Sequence, residues 1–166
     1  MTIVKYKKTE LIISIILCGT GILIALGALF YASLSYKIVA MIWFVIIFHL
    51  LIFSLKQFSQ FKNGIPAIII DENGITNNTS VKTIFIPWSD IKQFKTGFYR
   101  TNSIYIEPKN LDKYKPVKIK DYLDVIRYIN SFTTVNADLL WIEIDMMDIK
   151  KEKLMYLLND KLYLYK

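Results

Sequence analysis

Two charge-free runs near the N-terminus limit this chain more than any other feature. Leu11 to Ala32 is 22 residues without a charged side chain, and Ile38 to Leu55 is another 18. At about 1.5 Å per residue the first run reaches roughly 33 Å, against a bilayer hydrocarbon core of about 30 Å. The second is near the lower limit for a span. Only Ser33, Leu34, Ser35, Tyr36 and Lys37 separate them, enough to reverse the chain but not to recross a membrane. The pattern predicts an antiparallel transmembrane hairpin over residues 11–56, with spans at 11–32 and 38–55, rather than a buried helical pair or a cleaved signal segment. The first run is too long for a signal core, and bulky Leu17 precedes Cys18 where a lipoprotein site needs a small residue.

Lysine placement gives the direction. Lys5, Lys7 and Lys8 precede the first run, Lys56 and Lys62 follow the second, and the connecting loop has Lys37 alone. The positive-inside bias therefore predicts both termini in the cytoplasm, with residues 1–10 as a basic N-terminal tail. Tyr31, Tyr36 and Trp43 suit an interfacial aromatic belt at the hairpin tip. In the first span, Ser14, Cys18, Gly21, Ala25, Ala28 and Ala32 recur every three or four residues, a stripe of small side chains that permits close helix approach in lipid. Either the second span packs there or a second copy does, which would make a homo-oligomer through the first span. His49, the chain's one histidine, lies inside the second span. Neither span offers another ionisable group for a proton relay, so a neutral imidazole sharing a hydrogen bond with Ser14 or Thr20 is the expected state.

Charge then separates the rest of the chain from its anchor. The formal net charge is +7, yet from Lys56 onward 17 basic residues face 13 acidic ones, an excess of four. Residues 57–166 are long enough for one small core. Gln57 to Asn63 reads as a connector. Short runs rich in β-branched residues follow at Ala67–Ile70, Ile75–Asn77, Val81–Ile86, Ile91–Lys95 and Ser103–Glu107. Thr96–Asn102 and Lys109–Lys118 read as loops. Helical spacing over Asp121–Phe132, strand character over Leu139–Ile144, and a final helix capped by Asp148 with Ile149, Leu154, Leu157 and Leu158 on its apolar face complete an α+β domain built on an antiparallel sheet. Asn73-Gly74 reads as a tight turn needing positive φ, Pro87 as a strand terminator, and Trp88 as a plug at one end of the sheet. Ser89 or Asp90 is expected to satisfy local backbone donors.

The segments Pro66-Ala-Ile-Ile-Ile-Asp-Glu-Asn-Gly-Ile75 and Ile86-Pro-Trp-Ser-Asp-Ile91 resemble a bacterial family of small, mostly uncharacterised membrane proteins with two N-terminal spans and a cytoplasmic domain similar to the pleckstrin-homology fold (PH-like). The resemblance implies that fold and a place in the bacterial cytoplasmic membrane. It brings no catalytic residues. Asp121–Phe132 and the terminal Leu162-Tyr-Leu-Tyr-Lys166 depart from the family's pattern.

Little in the composition points to catalysis. The chain has one cysteine, Cys18, so no internal disulfide forms and no cysteine metal cluster exists. After Leu55 there is neither histidine nor cysteine, which removes the usual nucleophile–base pairs. No cofactor is implied. Asp138, Glu143, Asp145 and Asp148 form an acidic cluster, read as a solvated face rather than a metal site. Asn77 and Asn78 both begin formal glycosylation sequons. The best functional hint is a basic cluster: Lys92, Lys95, Arg100, Lys109, Lys113, Lys115, Lys118 and Lys120, opposed in that interval by Glu107 and Asp112. Near a bilayer such lysines attract anionic headgroups, at about 1 kcal/mol each. Tyr99, Tyr105 and Tyr114 are interleaved as on a nucleic-acid surface, but beside an anchor no nucleic-acid partner is expected. The leading expectation is a non-enzymatic, membrane-tethered interaction module that engages a protein partner or anionic lipid. The alternatives are an immunity protein that guards the membrane against a toxin, and a membrane enzyme or transport component using His49 or the acidic cluster.

Overall fold

The computed structural model describes residues 1–31, 33–96, 102–115, 122, 124–125, 127–128 and 138–165. They divide into two compact units. One holds Lys7–Gly64, and the other holds Met1–Tyr6 together with Ile65–Lys166.

The first unit is a pair of long apolar helices, α1 (Lys8–Tyr31) and α2 (Leu34–Lys62). Both are long and apolar enough to cross a membrane, and only 11 % of the apolar window of each is buried. The break between them is shorter than Ser33–Lys37, because residues 34–37 already take helical form. The expected connector Gln57–Asn63 is mostly helix as well: the apolar periodicity stops at Leu55, but Lys56–Lys62 contains no helix breaker. Gly64 ends α2 with φ 70°, the one positive φ among the described residues, as a left-handed C′ residue commonly does. Its N–H donates to the Phe61 carbonyl at 3.1 Å.

The second unit is α+β. A four-stranded antiparallel sheet runs in the order β1 (Thr2–Val4), β2 (Ile68–Ile70), β3 (Gly74–Asn77), β4 (Ile84–Pro87). A three-stranded antiparallel sheet follows as β5 (Ile91–Thr96), β6 (Ser103–Pro108), β7 (Trp141–Glu143). Helix α3 (Lys151–Leu164) closes the chain. The N-terminal segment expected as a basic tail therefore begins with a strand. Thr2, Ile3 and Val4 pair with Ile70, Ile69 and Ile68, and the Ala67 N–H donates to the Val4 carbonyl at 2.9 Å. The helical hairpin is thus inserted in sequence between two neighbouring strands of one sheet.

Period-two alternation sets the core. The row Thr2, Ile70, Ile75, Ile86 and the row Val4, Ile68, Asn77, Ile84 point inward, and Ile3, Ile69, Thr76, Phe85 form the outward row between them. Ile91, Ile104, Ile106, Leu140, Ile142, Leu154 and Leu158 are fully buried with them. The strand expected at Val81–Ile86 starts only at Ile84; residues 79–82 form a bend that is buried as far as Val81. Tyr122, Asp124, Val125, Arg127 and Tyr128 are helical; Asp121 and Phe132, the expected limits of that helix, lie outside the described residues. The final helix is not capped by Asp148, whose N–H instead donates to the Lys5 carbonyl at 3.0 Å; Lys150 occupies the cap position. The helix buries Leu154, Leu158 and Leu162.

Two motif expectations change in kind. Gly74 has no positive φ. The turn is closed instead by the Asp71 carboxylate, which accepts from the N–H groups of Asn73 (2.8 Å) and Gly74 (2.9 Å), an Asx-type turn. Glycine is required for another reason: a Cβ there would lie 2.3 Å from the Ile86 carbonyl oxygen and 2.8 Å from the Pro87 Cα. Both obstacles are backbone, so Gly74→Ala is expected to force β3 and β4 apart and destabilise the domain by about 2–4 kcal/mol, read as a lower midpoint in thermal unfolding. Pro87 ends β4 as expected. A 3-10 turn over Trp88–Asp90 then carries the chain into the second sheet. Trp88 is buried at this corner, its Nε1–H donating to the Asp71 carbonyl at 3.0 Å. Its ring stacks on Tyr165, with centroids 6.0 Å apart and planes 7° from parallel. Of the terminal Leu-Tyr-Leu-Tyr run, Leu162 is buried and Tyr165 stacks on Trp88, while Tyr163 and Leu164 are exposed.

Candidate functional site

The basic cluster centres on β5 and β6 of the second sheet. Between β5 and β6 the register shifts from Ile91 opposite Pro108 to Gln93 opposite Glu107, which leaves Lys92 as the extra residue of a bulge. A bulge bends its strand and re-aims side chains. Here it lets Lys92 reach the same carboxylate as Gln93 and Lys95. Glu107 accepts from Lys92 at 3.0 Å, and the Gln93 amide and the Lys95 ammonium meet its second oxygen. With Tyr105, Pro108, Lys109 and Leu111 these residues line an open cleft of about 360 Å³.

The electrostatics follow from that geometry. Hydrogen bonds from Lys95, Gln93 and Lys92 hold the Glu107 pKa down at about 2. Burial, and secondarily the Glu107 charge, pushes the Tyr105 phenol up to about 12, so it stays protonated. Because the Glu107 pKa is depressed on folding, its stabilising contribution is complete above the unfolded carboxyl value near 4.5 and is lost as pH falls through the folded value near 2. Glu107→Gln is therefore expected to remove part of the acid sensitivity between pH 4.5 and 2 while changing little near neutrality, measured as the unfolding midpoint across that range.

The remaining basic residues separate into smaller pairs. Lys113 and the Tyr114 hydroxyl both reach the same oxygen of Asp90, the hydroxyl at 2.6 Å. Those two hydrogen bonds, Lys113 first, lower the Asp90 pKa. Asp90 thus anchors a loop rather than satisfying backbone donors beside it. Lys115 pairs with Asp112 at 3.1 Å. Arg100, Lys118 and Lys120 lie outside the described residues. Tyr105 and Tyr114 are buried, not displayed for stacking, and Tyr99 lies outside the described residues. The cluster is therefore not one bare positive patch. In the cleft, three ammonium groups (Lys92, Lys95, Lys109) face one carboxylate, a local excess of two positive charges.

No protein-family model, curated protein or solved structure matches this chain.

The other candidate residues fall elsewhere. In the helical unit, the small-residue stripe of α1 faces α2. The Ser14 and Ser54 hydroxyls are 2.8 Å apart and hydrogen-bonded. A Cβ at Gly21 would lie 3.0 Å from the Ile47 side chain, and Ala25 is buried. Cys18 is half-buried and free, Ala28 is half-buried, and Ala32 is outside the described residues. The hydroxyls expected to partner His49 are engaged elsewhere: Ser14 with Ser54, and Thr20 with the carbonyls of Ile16 and Leu17 in its own helix. Among the described residues no three His, Cys, Asp or Glu side chains converge as a metal site. Of the acidic cluster, Asp145 accepts from the Asn102 amide, and the Glu143 N–H donates to the Thr79 hydroxyl at 3.1 Å.

Two arrangements were missed in the sequence. Asn77 and Asn78 begin two formal sequons, and in the fold Asn77, Asn78, Thr79 and Ser80 are all buried. The Asn77 amide donates to the Trp141 carbonyl (2.9 Å) and the Ser80 hydroxyl (2.9 Å), and its oxygen accepts from the Thr79 N–H and hydroxyl. The Asn78 amide donates to the Pro66 carbonyl at 2.7 Å, and the Tyr6 hydroxyl donates to the Asn78 carbonyl at 2.9 Å. This turn joins β3, β7 and the N-terminal segment. The second is a buried carboxylate, Asp124, met by Lys82 at 2.8 Å and Arg127 at 3.2 Å. The i,i+3 spacing of Asp124 and Arg127 was a usable signal for half of it. Nothing local points to Lys82.

Proposed function

We propose that this chain is a non-enzymatic, membrane-anchored interaction module, with a PH-like domain on the cytoplasmic side that presents the Lys92–Lys95–Lys109 cleft to a protein partner or to anionic lipid. The observation that carries it is the pairing of β1 with β2. One strand precedes both helices and the other follows them, so a bilayer crossed by α1 must be crossed back by α2. A signal segment removed after export would take β1 and the buried Tyr6 with it. A soluble core helix would be covered, whereas only 11 % of each apolar window is buried. Lys5, Lys7 and Lys8 before the hairpin, and Lys56 and Lys62 after it, then favour the cytoplasm for that shared side.

The PH-like reading joins the sequence resemblance to the antiparallel four- and three-stranded sheets and the terminal helix. Absence of histidine and cysteine after Leu55 supports a binding role over catalysis. The cleft's two uncompensated positive charges suit an acidic or phosphate-bearing group at the membrane surface. The test is crosslinking of the full-length protein in its native membrane, with captured protein and lipid identified by mass spectrometry. Combined Lys92→Glu, Lys95→Glu and Lys109→Glu should abolish capture. Undiminished capture by that variant would sink the assignment of this surface.

A further inference from the structure

The outward faces of the two sheets differ in chemistry. On the second sheet the face that bears Gln93, Lys95 and Glu107 also bears Tyr105 and Trp141, both buried, and its open part along β5 and β6 is charged. On the first, the outward row crosses all four strands as Ile3, Ile69, Thr76 and Phe85. It contains no charge, and its two ends are open: Ile3 is 51 % and Phe85 47 % exposed. A solvent-facing sheet normally alternates apolar inside with polar outside, so an apolar outward row is a departure that asks what meets it.

We propose that this row, Ile3–Ile69–Phe85, lies on the membrane surface and inserts shallowly among the lipid headgroups, an inference that rests on the membrane-anchored reading above. Three observations select lipid as the occupant. The row begins on β1 and β2, the two strands whose chain continues into the apolar helices. Ile3 stands five residues before Lys8, where α1 starts, and Ile69 seven after Lys62, where α2 ends. An extended chain covers at most about 3.5 Å per residue, so Ile3 is held within roughly 18 Å of the start of α1. Lys5, Lys7 and Lys8, all exposed, occupy the interval and complement anionic headgroups. The row is also too narrow for a stable protein interface, which needs about 800 Å² from each partner. Three large side chains do suffice for shallow contact when the spans already hold the domain at the bilayer, because the tether replaces most of the association cost. Phe85 at the far edge is of the type that settles in the interfacial zone, and β1 at the near edge is only three residues long.

The experiment uses full-length protein, with Cys18→Ala, in vesicles of phosphatidylethanolamine and phosphatidylglycerol at about one copy per vesicle. Single cysteines at Phe85→Cys, Asn159→Cys (exposed on α3) and Leu23→Cys carry an environment-sensitive nitrobenzoxadiazole label. Quenching is measured with nitroxide on shallow lipid positions and with an aqueous collisional quencher. The Phe85→Cys label should be quenched by the lipid nitroxide and shielded at least threefold from the aqueous quencher relative to the Asn159→Cys label. Equal accessibility at the two positions, with the Leu23→Cys label inside the bilayer, overturns this proposal alone. A Leu23→Cys label outside the bilayer overturns the membrane reading together with it. Shielding at Phe85→Cys that appears only at high copy number assigns the row to a second protein copy and also overturns it.

Discussion

Residues 1–6 joined to residues 65–166 through a flexible linker of about six residues should fold as a soluble, cooperatively unfolding domain, whereas residues 65–166 alone should not. The linker has little distance to cover, since β1 and β2 are antiparallel neighbours whose hairpin-side ends are drawn together by the Ala67–Val4 hydrogen bond. What the shorter fragment loses is specific. Val4 and Tyr6 are each 4 % exposed, and burying side chains of this size contributes roughly 1.5–3 kcal/mol apiece. The Tyr6 hydroxyl leaves the Asn78 carbonyl without its donor, Lys5 no longer accepts from Asp148, and the Tyr6–Met147 bridge disappears. Together this is about 5 kcal/mol or more, against a total stability of about 5–15 kcal/mol for a domain. Urea unfolding followed through Trp88 and Trp141 separates the outcomes: a sigmoidal transition with the N-terminal residues present, a gradual drift without them. Equal cooperativity in both chains would show that β1 is dispensable.

Asn77→Ala should be among the most damaging polar substitutions in the domain, by about 3–5 kcal/mol. An asparagine amide can donate twice and accept twice, and this one is used nearly to capacity. Its removal orphans the Thr79 N–H and weakens the hold on the Leu139 and Trp141 carbonyls, all in buried surroundings. Each buried group left unmet costs about 1–3 kcal/mol. Asn77→Asp keeps the acceptor but loses both donors and buries a charge, so it should be no milder. An exposed control such as Asn159→Ala should shift the midpoint by less than about 0.5 kcal/mol. The expected readout is loss of the folded population, or a large fall in the urea midpoint, for the Asn77 variants alone. The same burial means that neither sequon asparagine is available for glycosylation in the folded domain, whichever compartment it occupies.

Much of this architecture was legible in order and type. The apolar helices, the strands near 68–70, 75–77, 91–95 and 103–107, the stop at Pro87 and the terminal helix all follow from local pattern, which each residue carries with it. The misses share a cause. Whether Thr2–Val4 is a tail or a strand depends on Ile68–Ile70, more than sixty residues away, and three residues hold no period of their own. Gly74 looked like a positive-φ turn residue because Asn-Gly favours that state, but Asp71 closes the turn and the Ile86 backbone sets the real constraint. In the basic cluster, sequence distance hid the pairing of Asp90 with Lys113 and the sharing of Glu107 by Lys92 and Lys95. A count of charges along the chain could not show how many are neutralised across strands.

By itself, the sequence determined two helices long and apolar enough for a bilayer, the lysines that bias their direction, and an α+β composition after them. These depend on hydropathy, helix rise and local periodicity, and need no knowledge of distant partners. Only the tertiary structure decided that the first strand belongs to the last hundred residues and that Asn77–Ser80 is a buried joint between sheets. It also decided that Lys92, Gln93 and Lys95 share Glu107 on one sheet and that an uncharged row crosses the outward face of the other. Each of these is a matter of register, and pairing fixes register between segments that the chain keeps far apart.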